Sequence, residues 1–271
     1  MTTLSCRVAT TQRQLDDALR IRWAVFGKEL GLLLGSTAAT TLREVNGFDT
    51  LETTVHLVVY ADDTPVATSR LLLPNSEVAG TTGGRLGIEL EQKLDLPDVE
   101  APGLMFAEST RFCVLKEWRH SEALVWLQAG LYAESRQRGV THWIASANME
   151  TDSTEDAQLI HQMVMRQGLV SHRWRARVHA PSEPPAMPSA PRFTPSERDR
   201  ARQGHFHGLR LPRVLSFFAY KMGARFIAEP LYDTGFHRFS LPLVAALDEV
   251  PAKTLACFDS LGRGISRHAQ V

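Results

Sequence analysis

The run MFAESTRFCVL at residues 105–115 limits most strongly how this chain can fold. It is rich in aromatic and β-branched residues and contains neither Pro nor Gly, which is typical of an interior β-strand. Alternation along a strand places Glu108 on one face of a sheet and Arg111 on the other. Each charge would then point into an apolar layer, where an unpaired ion is strongly destabilising. The strand therefore requires charged partners from other segments.

Patterns around this strand predict an α+β fold. A helix begins at a capping box formed by Thr11 and Gln14, and a hairpin surrounds an Asp-containing turn. The hairpin and the last two strands form antiparallel pairs, which indicates a mixed sheet. The predicted helices are 10–26, 120–139, 153–168 and 211–224, the hairpin is 54–74, and the other strands are 105–115, 141–149, 225–233 and 237–247.

One segment lacks the alternation of helix and strand patterns seen elsewhere in the chain. APSEPPAMPSAPRFTP, residues 180–195, carries six prolines, which exclude a helix interior or a central strand. We expect an exposed loop or insertion at about 178–206, acting as a connector rather than as a binding segment. Residues 1–271 are expected to form a single domain around it.

Composition excludes several classes of protein. The 271 residues are 44% hydrophobic and have zero formal net charge, so no global field indicates a nucleic-acid or membrane protein. Three cysteines do not form a disulfide framework, and no apolar run could span a bilayer or act as a signal peptide. The HFH at 205–207 lacks a third ligand, so no metal site is expected. We expect a cytoplasmic protein that binds no nucleic acid, with peripheral membrane contact left open.

Several further charged residues stand in or beside apolar segments. They are Arg22, Arg70, Glu108 and Arg111, and the loop-like LREVNGFDTL at 42–51 adds Glu44 and Asp49. Charged side chains are almost never buried without a partner. These groups either form ordinary ion pairs at the ends of elements or gather in a charged pocket for a polar, amine-bearing substrate.

Short stretches spread along the chain carry a resemblance to a known family. LRIRWAVF, REVNGFD, HLVVY…PVATSRLLLP and AESTRFCV resemble acyl-homoserine-lactone synthases, and still more the N-acyltransferases that make N-acyl amino acids and lyso-ornithine lipids. All belong to the GNAT superfamily, so the resemblance implies the GNAT fold, a twisted mixed sheet flanked by helices. LPRVLSFFAYKMGARFIAEPLYDTGFHRFSLPL extends the likeness to the ornithine-lipid type, so that it covers about residues 12–248 except the Pro-rich insertion.

The resemblance implies an N-acyltransferase. Such an enzyme moves a fatty acyl chain from an acyl-carrier-protein or acyl-CoA thioester to a primary amine of an amino acid or a peptide side chain. The residues that match the family's charged cluster are Arg22, Glu44, Asp49, Arg70, Glu108 and Arg111. Asn46 and Gly47 replace a further acid of the homoserine-lactone pattern, which argues against S-adenosylmethionine as substrate. The alternatives are an inactive GNAT-like acyl-binding module and an acyl-homoserine-lactone-type synthase.

The resemblance also locates the acyl donor. GNAT enzymes hold pantetheine along a splayed strand and its phosphate on the following loop and helix, here RFCVLKEWRHSEAL. The family's glycine-rich turn is absent, so a carrier-protein phosphopantetheine fits better than a whole coenzyme A, and no tightly bound cofactor is expected. The basic run at 171–179 either steers an acidic carrier protein or forms a solvated face. The expected donor-binding residues are Phe112, Cys113, Val114, Arg119, His120 and Ser121.

Aminolysis of a thioester needs a proton acceptor and an oxyanion site. Glu44 or Glu108 can accept the proton, and a backbone N–H within 112–114 can bind the oxyanion. We expect Glu108 to pair with Arg22 or Arg70, and Arg111 to hold Asp49 or a neighbouring carboxylate. The resemblance suggests Tyr220 as the group that protonates the leaving thiolate.

Two apolar features are open to more than one interpretation. VFGKELGLLLG at 25–35 predicts either an acyl tunnel between the first helix and the sheet or ordinary core packing. Its candidate lining residues are Phe26, Leu30, Leu32 and Leu33. Cys113 is expected to be a buried structural thiol rather than a nucleophile.

Overall fold

The structure is a computed structural model that describes residues 2–32, 37–96, 99, 101–179 and 183–261. Its strands are β1 Leu4–Val8, β2 Thr54–Ala61, β3 Thr64–Leu72, β4 Leu94–Asp95, β5 Phe106–Val114, β6 His142–Asn148, β7 Arg177–Val178, β8 Arg225–Phe226, β9 Leu231–Asp233 and β10 Arg238–Ala246. Its helices are α1 Gln12–Arg22, α2 Thr37–Thr41, α3 Ser76–Thr82, α4 Ala123–Gln137, α5 Thr154–Arg166, α6 Pro195–Arg202, α7 Arg213–Lys221 and α8 Ala252–Leu261. A π-helical segment at Trp23–Glu29 and 3-10 turns at Glu89–Gln92 and Lys116–Trp118 complete the set. None of the described helices is long and apolar enough to cross a bilayer.

One sheet of eight strands connects most of the described chain. Its order is β1-β2-β3-β5-β6-β10-β8, with β9 also paired to β10. The neighbours β5 and β6 run parallel, and the other pairs are antiparallel. This arrangement confirms the predicted α+β fold with a mixed sheet. β4 and β7 form a separate two-stranded sheet.

The first helix begins where the sequence predicts and then changes its geometry. Thr11 and Gln14 form a reciprocal capping box at the N-terminus of α1. After Arg22 the helix widens into the π-helical segment. A Cβ atom on Gly27 would lie 2.2 Å from the ring of Trp23, so a larger residue there would displace that ring. Such π-helical turns are frequent at functional sites.

The two faces of the sheet pack against different elements. On one face, α4, α5 and α7 share the main hydrophobic core with the strands. On the other face, α1 covers a smaller apolar group that includes Val58 of β2 and Cys113 of β5. The 3-10 turn at Glu89–Gln92 extends this second face, where Leu90 belongs to the same apolar cluster as Phe106.

A β-bulge in β5 changes where its charged side chains point. Arg111 and Phe112 together oppose the single residue Ser69 of β3, and Arg111 adopts a left-handed backbone with φ of 57°. The extra residue reverses the alternation beyond it. Arg111 therefore lies on the same face as Glu108, beside the 3-10 turn that contacts both side chains. The prediction that these two charges occupy opposite faces is wrong.

β5 and β6 separate partway along their length. They pair only from Phe106–His142 to Glu108–Ile144. Beyond that point β5 continues beside β3, whereas β6 continues beside β10. A gap therefore opens in the middle of the sheet directly after Glu108. Along this gap, the edge of β5 has no partner strand among the described residues.

The Pro-rich segment contains more structure than the predicted exposed loop. Its described part includes α6, and both Phe193 and Ala201 are buried in the main core. Two buried carboxylates at the start of α5, Asp152 and Asp156, hold the segment in place. Asp152 accepts hydrogen bonds from Ser189 and Ala190, and Asp156 accepts them from Arg192, Phe193 and Arg198.

The strand predicted at 225–233 is divided. Its ends form β8 and β9, which both pair with β10. Pro230 stands between them, and a proline cannot donate a backbone hydrogen bond to a neighbouring strand. The connection between β9 and β10 reaches the π-helical segment, where Phe236 contacts Phe26.

Candidate active site

A buried ion-pair network lies where α1, β3 and β5 meet the loop at 42–51. Asp49 accepts hydrogen bonds from Arg22 at 2.7 and 3.0 Å and from Arg70 at 2.7 Å. Both arginine side chains are fully buried, and Arg22 also pairs with Glu44. Burial alone would raise the pKa of Asp49, but the hydrogen bonds and charge of Arg22, together with the charge of Arg70, hold it well below its usual range. Asp49 therefore stays ionised at neutral pH.

Arg111 joins this centre to two carboxylates. Its Nε lies 3.3 Å from Glu44, and its Nη2 donates to Glu89 at 2.9 Å. Glu89 in turn pairs with Arg70. Arg111 thus holds carboxylates that neighbour Asp49, which is one of the two expected arrangements. The bulge makes these contacts possible, because it turns the guanidinium toward the network.

Glu108 does not pair with Arg22 or Arg70, and in this respect the prediction is wrong. Both arginines are already engaged by other carboxylates. Glu108 Oε2 instead accepts a hydrogen bond of 2.8 Å from the backbone N–H of Leu90. Burial and the nearby charge of Glu89 raise the pKa of Glu108 to about 7. Its other oxygen accepts no hydrogen bond from the described residues.

Two neutral side chains support the acidic loop. Asn46 accepts a hydrogen bond from Arg70 at 2.8 Å and donates one to Glu89 at 3.0 Å. His56 of β2 lies beneath the loop, with Nε2 3.0 Å from the backbone carbonyl oxygen of Asp49. Burial lowers the pKa of His56, so the ring is neutral and its Nε2–H donates to that carbonyl.

An aromatic pair covers Arg111. The rings of Phe26 and Phe236 meet edge to face with centroids 4.9 Å apart, and the Arg111 guanidinium lies 5.4 Å from the Phe236 centroid. Phe236 lies in the turn between β9 and β10. Asp233 fixes this turn by accepting two backbone hydrogen bonds and by pairing with Lys93 at 2.5 Å. Phe26 and Phe236 thus form an apolar rim beside the charged network.

The residues expected to bind the donor lie along the gap and just after it. Phe112 packs against Phe218 of α7 with ring centroids 6.0 Å apart, so the main-core side of the gap is apolar. Cys113 is buried on the opposite face, near α1. Burial raises the pKa of its thiol far above the usual range, so the thiol stays protonated. Val114 ends the strand.

In the loop after β5, the charge expected to bind the donor phosphate already has a partner in the protein. Arg119 donates two hydrogen bonds of 2.6 Å to Glu29 and a third to the backbone of Val114. Its charge is therefore already partnered. His120 and Ser121 are exposed, and the Ser121 hydroxyl accepts a hydrogen bond from the first backbone N–H of α4.

The structure does not bring Tyr220 to the network. Its side chain is 54% exposed, and its hydroxyl donates to Gln167 at the end of α5. The buried face of α7 carries Leu215 and Phe218. Two residues beyond Phe218, a helical side chain points away from that face. Tyr220 therefore stands on the solvent side of α7.

The basic run lies away from the gap, and the described leucines of the expected tunnel are at least partly exposed. Trp174 packs against Phe106, the first residue of β5, whereas the gap begins at Glu108 and extends toward the other end of the strand. Arg173, Arg175 and Arg177 face solvent. Leu30 is 48% exposed, Leu32 is half-buried, and Leu33 lies outside the described residues.

Three residues of this region were not selected from the sequence. They are Asn46 as a hydrogen-bond partner of Arg70, Glu89 and Phe236. Glu89 stands between the buried residues Ile88 and Leu90. It therefore shows the same signal, a charge within an apolar run, that selected Arg22. Phe236 gave no signal of this kind. The described part of the chain contains no group of three or more His, Cys, Asp or Glu that could hold a metal ion.

Comparison with known proteins assigns the fold. Residues 21–129 match the family model described as an acetyltransferase (GNAT) domain. FeeM, an N-acyl amino acid synthase from uncultured soil microbes, superposes with a TM-score of 0.50 at 10% identity, covering 92% of this chain and 93% of that one. BjaI, a CoA-dependent acyl-homoserine lactone synthase, also gives 0.50, at 13% identity and with coverage of 96% and 90%. Residues 21–129 are thus similar to a GNAT domain, and the chain has the GNAT fold, as the resemblance implied.

Two relatives found by sequence are L-ornithine N(alpha)-acyltransferases. The protein from Agrobacterium fabrum is 26% identical over 183 residues, which are 64% of this chain and 60% of the relative. The protein from Rhizobium meliloti is 28% identical over 144 residues, 51% of this chain and 47% of the relative. The matched region thus spans about half to three fifths of these relatives.

Proposed function

We propose that the protein is an N-acyltransferase that moves an acyl chain from a thioester, carried by CoA or an acyl carrier protein, to an amine. One observation carries the proposal. Glu108, with its pKa raised to about 7, stands where β5 and β6 separate and keeps one carboxylate oxygen without a protein partner. A carboxylate with a pKa near neutrality is suited to accept a proton during a reaction. The GNAT fold and the names of the relatives agree with this role.

The gap between β5 and β6 suits an extended acyl donor. The unpaired edge of β5 can bind the amide groups of pantetheine as a neighbouring strand would. Phe112 and Phe218 offer an apolar surface on the main-core side, which favours an acyl chain. The opposite face carries the charged network and favours an amine. We therefore place the acyl chain on the main-core side of the gap, beside Phe112, and not beside the exposed Leu30.

The backbone of β5 also offers an oxyanion donor. Leu115 donates its backbone N–H to Val66 at the β3 edge. Since the backbone groups of successive strand residues point to opposite edges, the N–H of Val114 points toward the gap. There it can bind the thioester oxygen as that atom becomes negative.

The proposed reaction needs few further groups. Glu108 accepts a proton from the acceptor ammonium, and the free amine then attacks the thioester carbonyl carbon. Formation of the C–N bond gives a tetrahedral oxyanion. Its collapse breaks the C–S bond, and the thiolate takes the proton that the nitrogen loses. A thiol has a pKa of about 8.5, so the thiolate leaves without an acid such as Tyr220.

We also infer that residues 1–271 act as one domain. The chain before the Pro-rich segment supplies β1, β2, β3, β5 and β6, and the chain after it supplies β8, β9 and β10. Because β10 pairs along the whole of β6, the two parts share one sheet and one core. This continuity supports a single catalytic unit rather than two separable ones.

The test is an acylation assay with purified protein. Acyl-CoA and acyl-carrier-protein donors of several chain lengths are mixed with a pool of primary amines, and acceptor-dependent thiol release and product mass are measured. We expect an N-acyl amide. Glu108→Gln should lower kcat/KM at least about tenfold, whereas Asp156→Asn, at a temperature where it stays folded, should retain activity.

Other outcomes would replace the proposal. Donor binding without thiol release at every chain length would favour an acyl-binding module. A homoserine lactone product formed from S-adenosylmethionine would favour the synthase type. Full activity of a folded Glu108→Gln protein would remove Glu108 from the chemistry.

A further inference from the structure

The 3-10 turn that contains Glu89 contacts both the proposed base and two arginines of the network. The backbone N–H of Leu90 donates to Glu108 Oε2 at 2.8 Å. The side chain of Glu89, one residue earlier, accepts a hydrogen bond of 2.9 Å from Arg111 Nη2 and pairs with Nη2 of Arg70. One short turn therefore holds the carboxylate of Glu108 and also supplies a separate carboxylate to each of these arginines.

Glu89 and Glu108 compete for the same two cations. The charged groups that act on Glu108 come from three elements, and they are Glu89 of the turn, Arg70 of β3 and Arg111 of β5. The residues paired with Glu108 in the sheet, Leu72 and Ile144, are apolar. The two arginines alone would lower the pKa of Glu108, but burial and the charge of Glu89 raise it to about 7. The carboxylate that binds the arginines is thus the one on the turn.

We propose, on the basis of the acyl transfer proposed above, that Glu89 is a positioning residue that keeps Arg70 and Arg111 from pairing with Glu108. An arginine paired with Glu108 would stabilise its ionised form and occupy the oxygen that has no partner among the described residues. Such a carboxylate would be a weak base toward an ammonium group. Because Glu89 binds both guanidinium groups, Glu108 stays basic and open on one side.

The first test is the pH profile of Glu89→Gln. An amide has one acceptor oxygen, so one arginine loses its partner on the turn and becomes free to pair with Glu108. We expect the inflection of kcat/KM near pH 7 to move at least about one pH unit lower. The activity above the inflection should fall several-fold, because a weaker base accepts a proton less readily. The acceptor amine ionises identically with both proteins, so the difference between their profiles reports on the protein.

Glu91 provides a matched control on the same turn. Its carboxylate accepts hydrogen bonds from the backbone N–H groups of Arg85, Leu86 and Gly87 at 2.7, 3.0 and 2.7 Å. Glu91→Gln therefore weakens the attachment of the turn but leaves the carboxylate of Glu89 in place. Its inflection should stay near pH 7. A shift as large as that of Glu89→Gln would mean that a loosened turn moves the profile, and this would overturn the inference.

Denaturant unfolding tests the inference without acyl transfer. Glu108→Gln is introduced into the natural protein and into Glu89→Gln, and the gain in the free energy of unfolding near pH 8 is compared. The gain should be smaller in Glu89→Gln, because an arginine then stabilises the ionised Glu108. An equal gain in both backgrounds would overturn the inference.

The two proposals can fail separately. Amide formation by the natural protein, with an inflection that Glu89→Gln does not move, would overturn the role of Glu89 and leave the acyltransferase function in place. Absence of amide formation with every donor and amine would overturn the acyltransferase function, and the unfolding comparison would still decide whether Glu89 keeps the arginines from Glu108.

Discussion

Glu108→Gln should make the protein less active and more stable. Glu108 is buried and raised in pKa to about 7, and its hydrogen bond comes from the neutral backbone of Leu90 rather than from an arginine. Glutamine keeps the shape and can still accept that hydrogen bond. It removes only the charge, so the substitution measures what burial of this charge costs the fold.

The magnitude follows from the difference in pKa between the folded and unfolded chain. An exposed glutamate has a pKa of about 4.3. Since the folded value is higher, the stability that Glu108 provides is fully present below the unfolded pKa and is lost as the pH rises through about 7. Above that pH, the ionised side chain costs roughly 4 kcal/mol. Glutamine removes this whole cost, because like the protonated acid it accepts the hydrogen bond from Leu90 without carrying a charge.

Denaturant unfolding measured across pH is the assay. The free energy of unfolding of Glu108→Gln should exceed that of the natural protein by roughly 4 kcal/mol near pH 8, and the difference should vanish near pH 4. In parallel, kcat/KM of the natural protein should rise with pH through an inflection near 7, because the base must be deprotonated. The glutamine variant should lack this inflection.

Asp156 provides the matched control. It is equally buried, but hydrogen bonds from Arg198 and from the backbone overcome the effect of burial and hold its pKa below the usual range. Its stability contribution is therefore present above the unfolded pKa and lost as the pH falls. Asp156→Asn should destabilise the protein at neutral pH, opposite in sign to Glu108→Gln. Destabilisation by both substitutions near pH 8 would refute the reasoning about Glu108.

The remaining predictions concern the donor, the acyl chain and the rim. Arg119→Ala should raise the donor KM several-fold with little change in kcat, most strongly at low salt. Glu29→Ala should leave the donor KM unchanged or lower it, because Arg119 then loses its carboxylate partner. A large loss of kcat in Arg119→Ala would contradict a role in donor binding alone. Phe112→Trp should shorten the preferred acyl chain in a series of donors of different length, whereas Leu30→Trp, at an exposed position, should not. If both variants keep the chain-length preference of the natural protein, the acyl chain does not bind beside Phe112. Phe236→Ala should raise the acceptor KM more than the donor KM, and an unchanged acceptor KM would mean that the rim only shields Arg111.

The charged network could be predicted because burial of charge carries a large penalty. Arg22 occurs in the apolar stripe of an amphipathic helix, which is a strong local signal. The same rule, applied to Ile88–Glu89–Leu90, finds Glu89 as well. Pairing within the network was harder to predict, because it depends on which carboxylate each arginine reaches first in space. Arg22 and Arg70 bind other carboxylates, so neither of them pairs with Glu108 as expected.

The position of Arg111 could not be read from alternation. A strand pattern assumes one residue per step, and a bulge adds a residue without changing the composition of the run. The structure reveals it through the positive φ of Arg111, a conformation that sequence alone rarely indicates for arginine. The position of Tyr220 could not be predicted for a similar reason, since its distance from Gly223 along the chain does not fix the face of α7 on which it lies.

The Pro-rich segment determines where the polypeptide can be divided. Residues 183–188 lie largely on the surface, and the chain on either side of them is attached independently, by His179 to the backbone of Lys93 and by Ser189 to Asp152. Further along the chain, β10 pairs with β6 over seven residues. Two separately made fragments, divided within 183–188, therefore carry complementary halves of one sheet. Each fragment alone would expose an unsatisfied strand edge, and their reassembly would restore both the sheet and the turn that places Phe236 over Arg111.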